Sequence, residues 1–97
     1  EIFGPVLSVL RFSDVDDLVR RANATTFGLA AAVWTRDVAR AHDLARRLRA
    51  GTVGMNSFRT DFGIAFGGFK QSGFGRDLSL HAMDKFTGLK TTWFRYE

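Results

Sequence analysis

The chain alternates short apolar runs with amphipathic segments, and this alternation restricts its fold more than any other feature. Apolar runs at residues 6–12, 27–35 and 52–56 have the length and composition of buried strands. The two segments between them carry apolar residues at i, i+3, i+4 and i+7, the spacing of a helix with one buried face. Strands that alternate with helices over short links pair in parallel. The order strand, helix, strand, helix, strand therefore predicts an α/β domain with a parallel sheet.

Polar residues at the ends of the helical segments predict where each helix begins and stops. Ser13 and Asp16 have the spacing of a capping box, with Asp in place of the usual Glu. The second helix is expected to begin after Thr35 or Asp37. Gly51 is expected to end it in the C′ position.

The last third of the chain begins with a segment rich in Phe and Gly. Residues 58–75 interleave five Phe with five Gly and keep neither helical nor strand periodicity. Ordered loops of this length in compact domains are usually functional. A short helix is predicted to follow, beginning at Asp77 or Ser79 and ending at Gly88. Residues 89–96, rich in Thr and aromatics, predict a final strand.

Charge and composition narrow the classes of function. The net charge is +4, but most Arg residues share the helical segments with Asp, as expected for solvated helix faces. Runs of small and apolar residues, such as 28–34, are all far shorter than the roughly 20 residues that span a bilayer. The sequence has no cysteine, and so neither a disulfide framework nor a thiolate zinc site. We expect a cytoplasmic protein with no nucleic-acid and no membrane partner.

Motifs that bind phosphate or metal within a single domain are incomplete here. Lys70 follows Gly68 by two positions with no Ser or Thr after it, so a Walker loop is not formed. The Gly-Phe-Gly of residues 73–75 lacks the third glycine and the preceding strand of a dinucleotide fingerprint. His42 and His81 are expected to be exposed helix residues and not metal ligands. A stacking surface for single-stranded nucleic acid remains an alternative, although the RNA-recognition signature is absent.

Four blocks of sequence together resemble one known family. In chain order they are EIFGPV at residues 1–6, FGLAAAVWTRD at 27–37, RAGTVGMN at 49–56 and FGGFKQSGFGRD at 66–77. Their order and spacing resemble the C-terminal part of an NAD(P)-dependent aldehyde dehydrogenase, over essentially the whole chain. The chain departs from the family pattern at Ala65, where Pro is common, and at Asp77, where Glu is common.

The resemblance implies a reaction and a domain organisation. Enzymes of this family oxidise an aldehyde to a carboxylic acid: a Cys thiolate attacks the carbonyl, hydride passes to the nicotinamide of NAD or NADP, and water releases the thioester. The Cys, its general base Glu and the oxyanion Asn lie outside this chain, which is expected to be a fragment, inactive alone. Residues 1–88 are expected to be the C-terminal part of the catalytic domain and residues 89–97 the terminal oligomerisation strand. The expected partners are a small aldehyde, the remaining domains, and the other subunits of a homodimer or homotetramer.

The resemblance also assigns site residues. Glu1 matches the Glu that binds the nicotinamide ribose, where carboxylate oxygens accept from two neighbouring hydroxyls. Phe3 matches a Phe that packs near the nicotinamide, and Phe66 matches an aromatic near both the nicotinamide and the aldehyde tunnel. Phe58 and Phe62 lie in the loop that faces the substrate in family members. No catalytic residue and no metal ligand is expected within this chain.

The competing hypothesis is a truncated, non-catalytic interaction module. Residues 89–96 place an aromatic side chain on each face of the predicted strand. An open strand at a chain end presents unpaired backbone groups that template pairing with another chain. Such a module would dock through this strand alone, and an intact reading frame with a Cys upstream of Glu1 would favour the enzyme instead.

Overall fold

The computed structural model describes residues 2–59 and 61–97 and has mixed helices and strands. In chain order the elements are α1 (Val15–Asn23), β1 (Phe27–Gly28), β2 (Ala30–Val33), α2 (Val38–Arg47), β3 (Thr52–Met55), β4 (Phe69–Lys70) and a 3₁₀ helix (Leu80–Phe86). The predicted α/β class is confirmed, since α2 connects two strands that pair in parallel.

The region predicted as one strand, residues 27–35, forms two strands that pair with different partners. β2 lies parallel to β3, with Ala30 opposite Thr52. β1 lies antiparallel to β4, with Phe27 opposite Lys70. The prediction of a single strand was wrong because the Phe/Gly segment returns to pair with β1, and the apolar pattern of residues 27–35 contains no sign of that change of partner.

The strands predicted at residues 6–12 and 89–96 are not formed. Within residues 2–59 and 61–97 no segment pairs with either one, and their large apolar side chains are exposed. A strand forms only where a neighbouring strand pairs with its backbone N–H and C=O groups. An apolar run indicates which side chains favour burial, but it does not supply that neighbour. The two predictions were therefore wrong for the described chain.

The helix boundaries follow from carboxylates that accept backbone hydrogen bonds. Asp14, not Ser13, is the N-cap of α1, and its Oδ1 accepts from the N–H of Asp17 at 2.8 Å. The carboxylate of Asp37 caps α2, as predicted, by accepting from the N–H of Arg40 at 3.1 Å. The charged carboxylate of Asp14 is a stronger acceptor than the Ser13 hydroxyl, which donates to it instead.

The end of α2 and both ends of the 3₁₀ helix lie at or near the predicted positions. α2 ends at Arg47 with Leu48 as its C-cap, so Gly51 does not take the C′ role predicted for it. Ser79 caps the 3₁₀ helix, one of the two predicted starting points. Its C-cap is Thr87, directly before the predicted end.

Polar side chains connect α1 with α2. The guanidinium of Arg47 pairs with the carboxylates of Asp16 on α1 and Asp43 on α2, and the hydrogen bonds to these partners raise the pKa of Arg47. The amide of Asn23, at the end of α1, donates to the carbonyl of Arg47 at 2.9 Å and accepts from the N–H of Arg49 at 2.8 Å. These bonds orient the exit of α2 towards β3.

The described chain has little core of its own. Leu44 and Leu48, on and just after α2, are its buried apolar side chains, at 3% and 9% exposed. The radius of gyration is 18.6 Å, against about 13 Å for a compact domain of this length. Most of the apolar surface is therefore uncovered. None of the described helices is long and apolar enough to cross a bilayer.

Candidate functional site

The carboxyl ends of β2 and β3 are tied together by one amide side chain. The N–H of Asn56, directly after β3, donates to the carbonyl of Val33 at 2.8 Å. Its Oδ1 accepts from the N–H of Thr35 at 2.8 Å, and its Nδ2 donates to the carbonyl of Thr35 at 2.9 Å. The side chain thus continues the ladder beyond the last strand residue. In α/β sheets, ligands bind at this carboxyl edge.

The Phe/Gly segment leaves this edge and is then fixed against β1. The hydroxyl of Ser72 accepts from the N–H of Gly28 at 3.0 Å, and the N–H of Gln71 donates to the carbonyl of Thr26 at 3.0 Å. The ammonium of Lys70 donates to the carbonyls of Asn23 and Thr25, at 2.9 Å each. The segment predicted to be an ordered loop is thus ordered by side-chain and backbone hydrogen bonds to β1, to the end of α1 and to the link between them.

Gly51, directly before β3, and Gly68, in the Phe/Gly segment, permit close backbone packing. A Cβ on Gly51 would fall on the carbonyl oxygen of Gly67, far inside van der Waals contact. A Cβ on Gly68 would lie 2.5 Å from the Cβ of Ser72. The glycines therefore serve packing between segments, which explains a glycine-rich sequence that lacks the spacing of a phosphate loop.

Phe66 is held by its backbone and by the residues that follow it. Its N–H donates to the carbonyl of Asp77 at 2.8 Å, and its carbonyl accepts from the N–H of Asp77 at 2.7 Å. The guanidinium of Arg76 donates to the carbonyl of Gly68 at 3.0 Å and lies over the ring of Phe69, 4.9 Å from its centroid. The position of Phe66 is thus fixed by its backbone pairing with Asp77, and Arg76 holds the residues that follow Phe66.

A narrow hollow lies between the start of β3 and the Phe/Gly segment. It contains about 20 Å³, enough for a single water molecule. The residues that line it are Thr52, Phe58, Arg59, Asp61, Ile64, Ala65, Phe66 and Leu78. The hydroxyl of Thr52 is buried with no hydrogen-bond partner in the part of the chain that the structure describes. The lining is therefore mostly apolar, with Thr52, Arg59 and Asp61 as its polar residues.

The structure brings together two of the five predicted site residues. Phe58 and Phe66 both line the hollow. Phe62 is 87% exposed and Phe3 is 92% exposed, and neither lines the hollow. Glu1 lies outside the described residues.

Six of the eight residues that line the hollow were not predicted as site residues, and two of these six, Thr52 and Leu78, lie outside the Phe/Gly segment. Thr52 was assigned only to a strand, and Leu78 lies between the two candidate starting points of the last helix. Nothing in the local pattern marks either residue, because each reaches the hollow through contacts with a distant segment. Among residues 2–59 and 61–97, no three His, Asp or Glu side chains form a group that would hold a metal ion.

Comparison with known proteins assigns the chain to a family. The model of the aldehyde dehydrogenase family matches residues 1–92. The chain belongs to the aldehyde dehydrogenase family. The fold agrees, since the structure of P. syringae AldA indole-3-acetaldehyde dehydrogenase, a mutant in complex with NAD+ and IAA, superimposes with a TM-score of 0.90 at 57% identity. That match covers 99% of this chain and 20% of the P. syringae chain.

Two curated relatives show how much of an aldehyde dehydrogenase the chain represents. The NADP/NAD-dependent aldehyde dehydrogenase PuuC of Escherichia coli is 55% identical over 98 residues, which cover 100% of this chain and 20% of the relative. The cytosolic 10-formyltetrahydrofolate dehydrogenase of Pongo abelii is 50% identical over 99 residues, which cover 99% of this chain and 11% of the relative. The chain thus spans a fifth or less of these relatives.

The E. coli relative provides a full-length background for experiments. Because its match extends over the whole of this chain, residues 1–97 can replace the corresponding fifth of that protein. We call the product the chimeric enzyme. It supplies the surroundings that the described chain, with two buried apolar side chains, does not provide for itself.

Replacing Asn56 in the chimeric enzyme is expected to destabilise the edge of β2 and β3. Asn56→Ala removes both hydrogen bonds to Thr35 and leaves alanine at a φ of 52°. At roughly 0.5–1.5 kcal/mol for each bond, the free energy of unfolding falls by about 1–3 kcal/mol. Urea denaturation measures the change. Asn56→Asp keeps the acceptor and loses the donor, so its free energy of unfolding is expected to lie between those of the parent and of Asn56→Ala. Equal stability of all three proteins would contradict the bridging role of Asn56.

Proposed function

We propose that this chain is the C-terminal part of an enzyme that oxidises an aldehyde to a carboxylic acid with NAD or NADP. Residues 1–88 are its share of the catalytic domain and residues 89–97 its terminal oligomerisation strand. The sequence contains no cysteine, so the nucleophile is supplied by another part of the enzyme. A cytoplasmic location is proposed with it, in keeping with the Pongo abelii relative that is called cytosolic.

The arrangement of Phe66 is the observation that supports this proposal best. Reciprocal backbone bonds to Asp77 fix its position, and it shares the hollow with Phe58. A fixed aromatic in a mostly apolar lining suits a flat nicotinamide ring and an apolar aldehyde, since such sites are mostly apolar with few polar groups. The residues present therefore fit the cofactor and the substrate that we propose.

Each proposed site residue has a positioning role. Glu1 binds the two hydroxyls of the nicotinamide ribose through its carboxylate oxygens. Phe3 and Phe66 limit how the nicotinamide ring can shift, while Phe58 and Phe62 form the side of the aldehyde tunnel. NAD(P) supplies the hydride acceptor when it is bound. This chain orients the reacting groups. Orientation accounts for a large part of a rate enhancement when the reacting atoms are held within about 3–3.5 Å of each other.

Turnover by the chimeric enzyme tests the proposed function. We expect it to oxidise acetaldehyde with NAD or NADP at a rate within about tenfold of the unmodified E. coli relative. Formation of reduced nicotinamide, followed by absorbance, is the measurement, and circular dichroism checks that the protein is folded. A folded chimeric enzyme that produces no reduced nicotinamide would contradict the proposal and favour a non-catalytic interaction module.

Residues 89–97 are proposed to dock on a second subunit. Leu89, Trp93 and Tyr96 are exposed, and the rings of Phe94 and Tyr96 stack with centroids 6.5 Å apart. An apolar segment without a strand partner in the described chain suits the edge of another subunit's sheet. We therefore expect this segment to hold a homodimer or homotetramer together.

Deleting residues 89–97 from the chimeric enzyme is expected to yield monomers or aggregates, because the docking strand and its apolar side chains are lost. Light scattering measures the mass. Deletion of Glu97 alone, a polar terminal residue, serves as the control and should leave the mass unchanged. An unchanged oligomer after the full deletion would assign the contact to other surfaces.

A further inference from the structure

Two consecutive residues beside the hollow have an unusual backbone conformation. Leu78 has a φ of 59° and Ser79 has a φ of 53°. The left-handed region is unfavourable for residues with a Cβ, and a bulky residue such as leucine is a marked outlier there. The sequence offers glycines nearby, at residues 73 and 75, which take up positive φ without this cost. The conformation at Leu78 is thus imposed by its surroundings.

Backbone hydrogen bonds on both sides of Leu78 impose it. The preceding residue, Asp77, exchanges two bonds with Phe66. The following residue, Ser79, donates its N–H to the carbonyl of Phe62 at 2.8 Å. Both partners belong to the Phe/Gly segment. A strained backbone persists where neighbouring structure fixes it, and such residues cluster at functional sites.

The fixed position places Leu78 in the lining of the hollow, together with Phe58, Ile64 and Phe66. These four residues are apolar, and the space between them is about 20 Å³. In so narrow a space, the size of any one lining side chain decides which group can enter. Leu78 is half-buried, whereas Leu80, two residues later on the 3₁₀ helix, is 88% exposed.

We infer that Leu78 is a specificity-determining residue that limits the width of the aldehyde tunnel and excludes bulky aldehydes. This inference rests on the proposed function, because it takes the hollow beside Phe58 and Phe66 to be part of that tunnel. Leu78 contacts the group attached to the aldehyde carbon, and takes no part in the chemical step. The backbone hydrogen bonds of Asp77 and Ser79 keep the leucine in place when a larger substrate arrives.

A size series at this position tests the inference in the chimeric enzyme. The quantity measured is the ratio of kcat/KM for phenylacetaldehyde to kcat/KM for acetaldehyde. Leu78→Ala removes three carbons and is expected to raise this ratio at least about tenfold, the lower end of what a single methylene contributes in an apolar pocket. Leu78→Phe is expected to lower it, and Leu78→Met, which conserves volume, to leave it within about twofold. Leu80→Ala is the matched control and should not change it.

The outcomes separate this inference from the proposed function. An active chimeric enzyme whose Leu78 variants all keep the parent ratio overturns the specificity role and leaves the proposed function standing. A folded chimeric enzyme that oxidises neither aldehyde overturns both. Since Ala and Phe are expected to move the ratio in opposite directions, a variant that does not fold leaves the other to decide.

Discussion

Glu1→Gln in the chimeric enzyme is expected to slow hydride transfer about a hundredfold, while the affinity for the cofactor falls much less. The amide has one acceptor oxygen where the carboxylate has two, so the ribose hydroxyls are no longer each bound by a separate oxygen and the nicotinamide loses its fixed placement. A displacement of about 1 Å costs on the order of a hundredfold in rate. Because we propose that other domains of the enzyme bind most of the cofactor, we expect the change in affinity to be small.

Single-turnover absorbance of the reduced nicotinamide measures the hydride step, and a fluorescence titration measures cofactor affinity. Glu97→Gln is the matched control, because Glu97 is the other glutamate of the chain and lies at its opposite end. An unchanged hydride step in Glu1→Gln would remove Glu1 from the site that we propose.

Gly51→Ala is expected to lower the free energy of unfolding of the chimeric enzyme by about 3 kcal/mol or more. The new Cβ would overlap the carbonyl oxygen of Gly67. This oxygen belongs to the backbone, so it cannot rotate away from the clash as the end of a flexible side chain can. Overpacking a close contact typically costs 1–3 kcal/mol, and a clash with backbone falls at or beyond the upper end. Because Gly67 directly follows Phe66, the variant is also expected to lose activity.

Urea denaturation measures the loss of stability. Gly88→Ala is the control, since a Cβ there meets nothing within 4 Å in the described chain. If Gly51→Ala were as stable as Gly88→Ala, the two backbones would have room to separate, and the tight contact would not position the Phe/Gly segment.

Local patterns predicted the helices and the parallel pair well. The apolar spacing of α1 and α2, the cap at Asp37 and the parallel pairing of β2 with β3 are all confirmed. Each depends on residues close together in the sequence or on the general rule for strands connected by a helix. Such features can be predicted because the residues that decide them are neighbours.

Features that depend on distant partners were predicted poorly. The division of residues 27–35 into β1 and β2 depends on β4, and the role of Gly51 depends on Gly67. The hollow likewise joins Thr52 with Leu78, which no periodicity relates. Phe58 and Phe66 were predicted as site residues only from the resemblance to the family. The pattern of a family carries information on contacts between distant residues that the periodicity of one sequence lacks.

The two strand pairs also differ in when they can form during synthesis. Ala30 can pair once Thr52 has been synthesised, whereas Phe27 can pair only once Lys70 has been, eighteen positions later than Thr52. The parallel pair is complete at Met55, fifteen positions before Lys70. At the usual elongation rate of about 5–20 residues per second, the nascent chain therefore carries β1 without its partner for about 1–3 s. β1 is only two residues long, and so short an edge offers little template for aggregation on the ribosome.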